Sequence, residues 1–286
     1  DKQISFNTLF HFEDIQSGFL NYSFEVPQWH TVWHAGIHYL DYGKFTGRDQ
    51  RGVETGTFEA NDLAFHLGAG HQLYERMAIG LNVKYVLSSY ESYQASALAF
   101  DLGLNYFIED KKMGLSLTVN NFGKGLSQFT PETREIMPVN VQFSYTKEFE
   151  HLPFRYSIIY RHLENWDLQY EDQDTDIESS GFILEDSDQD VGFVDRLLLH
   201  FVVNAELMLG QKESVRLRAS YNHLRRQELS IDNAGGGAGF SFGVGIRISK
   251  FRIDYGRSIY HYAGGTNHLS FSTNINFFKD NSVLTD

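Results

Sequence analysis

Long runs of strict alternation between apolar and small or polar residues constrain this chain more than any other feature. Near the C-terminus Leu269, Phe271, Thr273, Ile275 and Phe277 interleave with Ser270, Ser272, Asn274 and Asn276. Phe240, Phe242, Val244, Ile246 and Ile248 alternate with Ser241, Gly243, Gly245, Arg247 and Ser249. Phe251, Ile253 and Tyr255 alternate with Arg252, Asp254 and Gly256. Earlier, Met77, Ile79, Leu81, Val83 and Tyr85 oppose Ala78, Gly80, Asn82 and Lys84, and Leu98, Phe100, Leu102, Leu104 and Tyr106 oppose Ala99, Asp101, Gly103 and Asn105. A period of two is the period of a β-strand, so each run carries one apolar face and one small or polar face.

The pattern predicts about 14 strands, near 3–12, 18–26, 31–42, 61–73, 76–89, 93–108, 112–122, 136–148, 154–169, 194–210, 214–228, 237–249, 251–261 and 267–278. Many reach the ~9–11 residues that a tilted strand needs to cross a bilayer, against ~5–6 for an ordinary soluble strand. The connections add a second regularity. Links at 43–60, 123–135, 170–193 and 229–236 are long, whereas those at Tyr74–Glu75, Glu109–Lys111, Gln211–Glu213 and Lys250 are tight. Outer-membrane barrels pair long external loops with short periplasmic turns and have an even strand number. With the N-terminus periplasmic, every long link falls outside, and both termini face the periplasm.

A soluble antiparallel sheet also alternates, but it turns its apolar face inward and puts Lys and Glu on its wet face. Here the second face is rich in Gly, Ala, Ser and Asn. The fold class expected is therefore all-β: a 14-stranded antiparallel transmembrane barrel over residues 1–278, with a tail at 279–286. The four prolines, Pro27, Pro131, Pro138 and Pro153, fall in connections or at a strand end, where no ladder bond is lost. No run approaches the ~18 apolar residues of a membrane helix. A formal net charge of −13 argues against nucleic acid as a partner. The absence of Cys removes disulfides, thiolate catalysis and Cys-based metal sites.

The polar face carries Asp101, Glu206, Arg216, Arg218, Arg247 and Asp254. These predict a charged lumen, which either selects or grips something or is a set of mutually neutralised wall charges, since opposite charges pair well in a low dielectric. Catalysis is not expected. His268 with Ser270 and Ser272 is the nearest approach to a hydrolase set, and it lacks a third, orienting group. Neither a metal nor a cofactor is expected. His34 and His38 are four apart, which on a strand is ~13 Å, too far to share one ion. Residues 171–190 hold nine acids and no Lys or Arg. An Asp-x-Asp-x-Asp run there resembles the opening of a calcium loop, but Ile177 stands where that loop needs Gly. A solvated acidic loop is the simpler reading.

Four stretches carry a family resemblance: Tyr39-Leu-Asp-Tyr-Gly-Lys44, His162-Leu-Glu-Asn-Trp-Asp167, Tyr221-Asn-His-Leu-Arg-Arg-Gln-Glu-Leu229 and His261-Tyr-Ala-Gly-Gly-Thr-Asn-His-Leu-Ser270. With Phe240-Ser-Phe-Gly-Val-Gly245 between the last two, the chain resembles the PorQ family of outer-membrane components of the Bacteroidetes type IX secretion system. That family looks related to PorV and, more distantly, to the FadL fatty-acid channels with their 14-stranded barrels. The resemblance implies a non-catalytic anchor in the attachment complex, with three partner proteins. It would hold a PorZ-like surface protein near the PorU sortase and PorV, beside lipopolysaccharide and membrane lipid. Family members begin with a signal peptide and a further segment, a possible hatch, so this chain is expected to be a mature or trimmed form. The relation to FadL implies the alternative, a transporter of hydrophobic small molecules. If the chain is an anchor, loops 43–60, 123–135 and 229–236 are the expected contacts. Phe45, Phe58, Phe122, Phe129, Arg134, Arg225 and Arg226 lie in or beside them and are of the types that anchor interfaces.

Overall fold

A computed structural model describes residues 2–13, 15–130, 136–168, 193–210, 213–229, 237–261 and 264–275. Among them are fourteen strands that close into one antiparallel barrel. In chain order these are β1 (Lys2–Phe10), β2 (Gln16–Val26), β3 (Thr31–Arg48), β4 (Glu54–Tyr74), β5 (Met77–Tyr90), β6 (Tyr93–Ile108), β7 (Met113–Ser127), β8 (Asn140–Glu148) and β9 (Phe154–Tyr160). After a helix α1 (Phe193–Leu199) come β10 (Phe201–Leu209) and β11 (Val215–Asn222). A second helix, α2 (His223–Leu229), precedes β12 (Phe240–Ile248), β13 (Phe251–His261) and β14 (Gly264–Asn274). Each strand pairs with its sequence neighbour. The seam between β1 and β14 closes in unbroken register from Gln3↔Asn274 to Phe10↔Asn267. Closure pairs the strands around the full ring, the condition for crossing hydrocarbon with strands, and leaves an edge only where one strand outruns its neighbour.

The alternation falls as the residue types require. Leu20, Ile37, Leu67, Leu81, Leu102, Leu117, Phe143, Leu217, Ile253 and Leu269 are exposed around the outside. Such a continuous apolar belt is far larger than a water-soluble monomer displays, so its solvent is lipid. The other face, with Gly, Ala, Ser, Asn and the charged groups, turns into the lumen. Links of only a few residues join the strands at one rim, at 27–30, 75–76, 109–112, 149–153, 210–214 and 249–250. The longest links, at 128–139, 161–192 and 230–239, leave from the other rim.

The wall is uneven in height. β3 to β7 run 14 to 21 residues, whereas β8 to β12 run 7 to 9. At ~3.3 Å per residue, 21 residues at a ~40° tilt rise ~50 Å, about twice the ~25 Å apolar band. The tall side therefore stands clear of the membrane.

Several expectations need correction. Residues 43–60 are not a loop. The pairing continues from Lys44↔Glu59 to Arg48↔Glu54, so only 49–53 form the turn, and Phe45 and Phe58 are strand residues stacked at 5.4 Å. β7 likewise runs on to Ser127, so 123–127 are strand rather than loop, and Phe122 lies inside the strand expected to end there. The ninth strand ends at Tyr160 rather than 169, and the tenth begins at Phe201 because 193–199 coil into α1. The eleventh ends at Asn222, because His223–Leu229 form α2, and Arg225 and Arg226 sit on that helix. The Asn222 Oδ1 atom accepts the Arg225 N–H at 3.1 Å, an N-cap that stops the strand and starts the helix. Arg134 with the rest of 131–135, residues 230–236, the acidic 171–190 segment and the tail at 279–286 lie outside the described residues.

Candidate functional site

The lumen is organised by two charge clusters on opposite sides of the wall. On the short side, Glu206 of β10 sits between Arg155 of β9 at 2.9 Å and Arg218 of β11 at 2.9 Å, with Arg216 at 3.7 Å. Arg218 also reaches across β12 to Asp254 of β13 at 2.6 Å. That reach depends on β12 presenting Gly243 and Gly245 beneath it. A Cβ at Gly245 would lie 2.3 Å from the Asp254 carboxylate and 3.3 Å from the Arg218 guanidinium. The glycines of this face thus make room for ion pairs two strands apart. The pairs line a cavity of about 490 Å³ whose other walls are mostly Ser, Gly and Ala, including Ser144, Ser157, Ala219 and Gly256. Such a volume suits a small organic molecule.

On the tall side, Asp101 of β6 pairs with Lys84 of β5 at 2.6 Å and accepts from Asn82 at 3.0 Å and from the backbone N–H of Asn121 at 2.9 Å. The last bond marks a bulge. The β6–β7 register shifts between Phe100 and Leu102, and Asn121 takes a left-handed φ of 59°. Lys84 donates to the Asn121 side chain as well. Higher on this wall Tyr42 and Tyr90 donate to Asp62 at 2.8 and 3.1 Å. The charged lining expected from the sequence thus separates into two groups, with Asp101 apart from Glu206, Arg216, Arg218 and Asp254. Lys84, Arg155 and Asp62 were not among the expected site residues. The signal for Lys84 was its place in the polar register with Asn82.

The bulge adjoins a break in the wall. β7 pairs with β8 only from Met113↔Lys147 to Asn120↔Asn140. Beyond Asn120, β7 continues to Ser127 against β6 alone, and among the described residues no strand pairs with its other edge. The gap holds about 330 Å³, lined by Asn120, Asn121, Pro138, Val139, Asn140, Gln142, Arg161 and His162. Its near side is set by the Asn121 amide donating to Pro138 O at 3.1 Å. Its far side is the turn after β9, which contributes Arg161 and His162 to the lining and is tied to β8. Leu163 N–H donates to Val141 O at 3.0 Å, and the Glu164 carboxylate accepts the Val141 N–H at 2.7 Å. Burial would raise the Glu164 carboxyl, but the Val141 N–H and the His162 ring, 3.0 Å away, outweigh it and hold the group below its ordinary value. Met137 reaches past the gap into a lumen space shared with His38, His66 and Ala99.

Above the short side the rim is capped. His200, 1% exposed, lies between the rings of Tyr160 and Trp166 at 4.9 and 5.4 Å. Arg225 of α2 stacks over Tyr260 at 4.0 Å. Phe129, after β7, stacks on Tyr90 at 4.8 Å. Phe45, Phe58, Phe122 and Phe129 therefore belong to the tall side and Arg225 to the capped short side, so these expected contacts do not form one patch. Among the described residues no group of three or more His, Asp or Glu is arranged to hold a metal ion.

No protein-family profile matches the chain, and comparison with curated proteins finds no match. Solved structures do match. The Pseudomonas putida toluene transporter TodX superposes with a TM-score of 0.51 at 11% identity, over 95% of this chain and 87% of that one. The monoaromatic hydrocarbon channel CymD gives 0.48 at 10% identity, over 95% and 86%. The TodX likeness, at this identity, is one of fold. The expected class, a 14-stranded barrel of FadL-like type, is the fold observed.

Proposed function

We propose that the barrel passes hydrophobic small molecules across the outer membrane, with the long-link rim outside and the termini in the periplasm. The observation that carries this is the break in the wall beside β7. A barrel that merely plugs or anchors gains nothing from ending the β7–β8 pairing at Asn120↔Asn140 while β7 runs on to Ser127 with, among the described residues, no strand on that edge. A lateral opening between lumen and lipid gives an apolar solute a route that avoids water. The fold shared with a toluene transporter supports the same reading. Purified barrel in liposomes is then expected to speed the entry of a monoaromatic hydrocarbon above the protein-free rate. Entry no faster than in protein-free liposomes overturns the reading.

A second reading, the anchoring of a PorZ-like surface protein near PorU and PorV, has its own support. It rests on the family resemblance and on the β3–β4 hairpin, which stands above the membrane with Phe45 and Phe58 stacked. Aromatic anchors on a rigid hairpin suit an ectodomain contact. Co-purification of such a partner from outer membranes, and its loss on replacing both aromatics with Ser, tests it.

A further inference from the structure

The charge inside the short wall does not balance. Arg155, Arg216, Arg218, Arg247 and Arg252 project from the polar registers of β9, β11, β12 and β13, against Glu206, Glu213 and Asp254. Glu148 of β8 shares the polar register opposite Arg155 and pairs with Lys112 at 2.6 Å, so six cations face four carboxylates, in a chain whose formal net charge is −13. Glu206 is engaged by Arg155 and Arg218, Asp254 by Arg218, and Glu213 by Arg216 at 2.6 Å. Arg247 and Arg252 have no carboxylate partner among the described residues.

These two arginines lie directly opposite each other across the β12–β13 ladder. Directly opposed residues hold their Cβ atoms ~4.5–5.5 Å apart, close enough for two like charges to repel. Arg216 opposes Gly245, two residues along β12 from Arg247, and faces the same space. Arg252 lies within electrostatic reach of Arg216, Arg247 and Arg218, with Asp254 the offsetting charge. The Arg216 side chain is only 16% exposed, and its Nε, like that of Arg155, is buried with no hydrogen-bond acceptor. Buried donors normally find one. All three lie within two residues of the short links 210–214 and 249–250, so the cluster rings one side of the lumen mouth at that rim.

We propose that Arg216, Arg247 and Arg252 form a binding site for a small divalent oxyanion of the phosphate class. A guanidinium presents paired N–H donors that match such an oxyanion in forked fashion. One dianion between the three would cancel the two uncompensated charges and supply an acceptor to the orphaned Arg216 donor. A hydrocarbon does neither, so this site is separate in chemistry from the passage route. Phosphate binding and hydrocarbon passage are independent measurements, and either can fail alone.

The test is calorimetric titration of the folded, detergent-solubilised chain with inorganic phosphate. Saturable one-to-one binding is expected, weakened about tenfold by either Arg247→Gln or Arg252→Gln, a loss of ~1.4 kcal/mol. Arg257→Gln is the control, because Arg257 lies in the other register of β13 with its side chain donating to Asn267. Sulfate is expected to compete better than chloride. A measurement on the unaltered chain guards against misfolded variants: phosphate is expected to slow phenylglyoxal modification of Arg247 and Arg252 but not of Arg257. Absence of saturable binding by the folded barrel overturns the proposal. So does equal weakening by Arg257→Gln, or phosphate protection that does not favour Arg247 and Arg252.

Discussion

At the residue scale, neighbouring positions have opposite surroundings. Leu81 is 47% exposed on the lipid face, while the adjacent Asn82 donates to Asp101 inside. Leu81→Arg is expected to cost ~2–4 kcal/mol of barrel stability, the penalty of a cation in mid-bilayer. Asn82→Arg, which puts its charge beside Asp101 in the lumen, is expected to cost clearly less. Denaturant titration in liposomes, read by heat-modifiable gel mobility, checks this, and equal losses would contradict the assignment of faces. Glycines give a second residue-scale contrast. A Cβ at Gly123 would lie 2.1 Å from Leu98 O and 2.7 Å from Ala99 Cα, both backbone atoms that cannot step aside. At Gly70 the nearest atom is 3.9 Å away. Gly123→Ala is therefore expected to destabilise by ~1–3 kcal/mol or more, and Gly70→Ala to change little, in the same titration. The faces were legible in the sequence because alternation reports them directly. The need for Gly123 was not, because it arises from a bulge that shifts β7 against β6, and no local pattern marks it.

At the element scale, the strands between tight links were read nearly to the residue, as β5 and β6 show. Errors gathered at the long-link rim. Residues 193–199 read Phe-Val-Asp-Arg-Leu-Leu-Leu, a short apolar run that suits a strand or a helix equally. Residues 223–229 did carry a signal, since Asn222 is a good N-cap and Leu, Arg, Gln and Glu are helix formers. The turn at 161–166 lines the wall opening, and Glu164 clamps it to β8. The folded carboxyl is held below its ordinary value. Its stabilising effect is therefore complete above the unfolded pKa of ~4.3 and is lost as pH falls through the lower folded value. Hydrogen exchange at the Val141 and Leu163 amides is expected to quicken locally on acidification through that window. In Glu164→Ala, which removes the acceptor, the Val141 amide is expected to exchange fast already at neutral pH, with the rest of the barrel unchanged. A Val141 amide equally protected in both proteins would contradict the clamp.

At the scale of the whole molecule, strand number, closure and the rim that bears the long links follow from periodicity and link length. The unequal wall height and the opening beside β7 do not, because they depend on where pairing stops, and pairing is a relation between segments distant in sequence. The central claim is that this opening is a route for apolar solutes, and the cysteine-free sequence makes it directly testable. Val139→Cys places a single thiol on the lining of the gap. Hydrocarbon entry into liposomes bearing this variant is measured before modification, after a bulky methanethiosulfonate label is attached, and after dithiothreitol removes it. Entry is predicted to be fast, then reduced to the protein-free rate, then restored. Entry that is fast and indifferent to the label, or never above the protein-free rate, would contradict it.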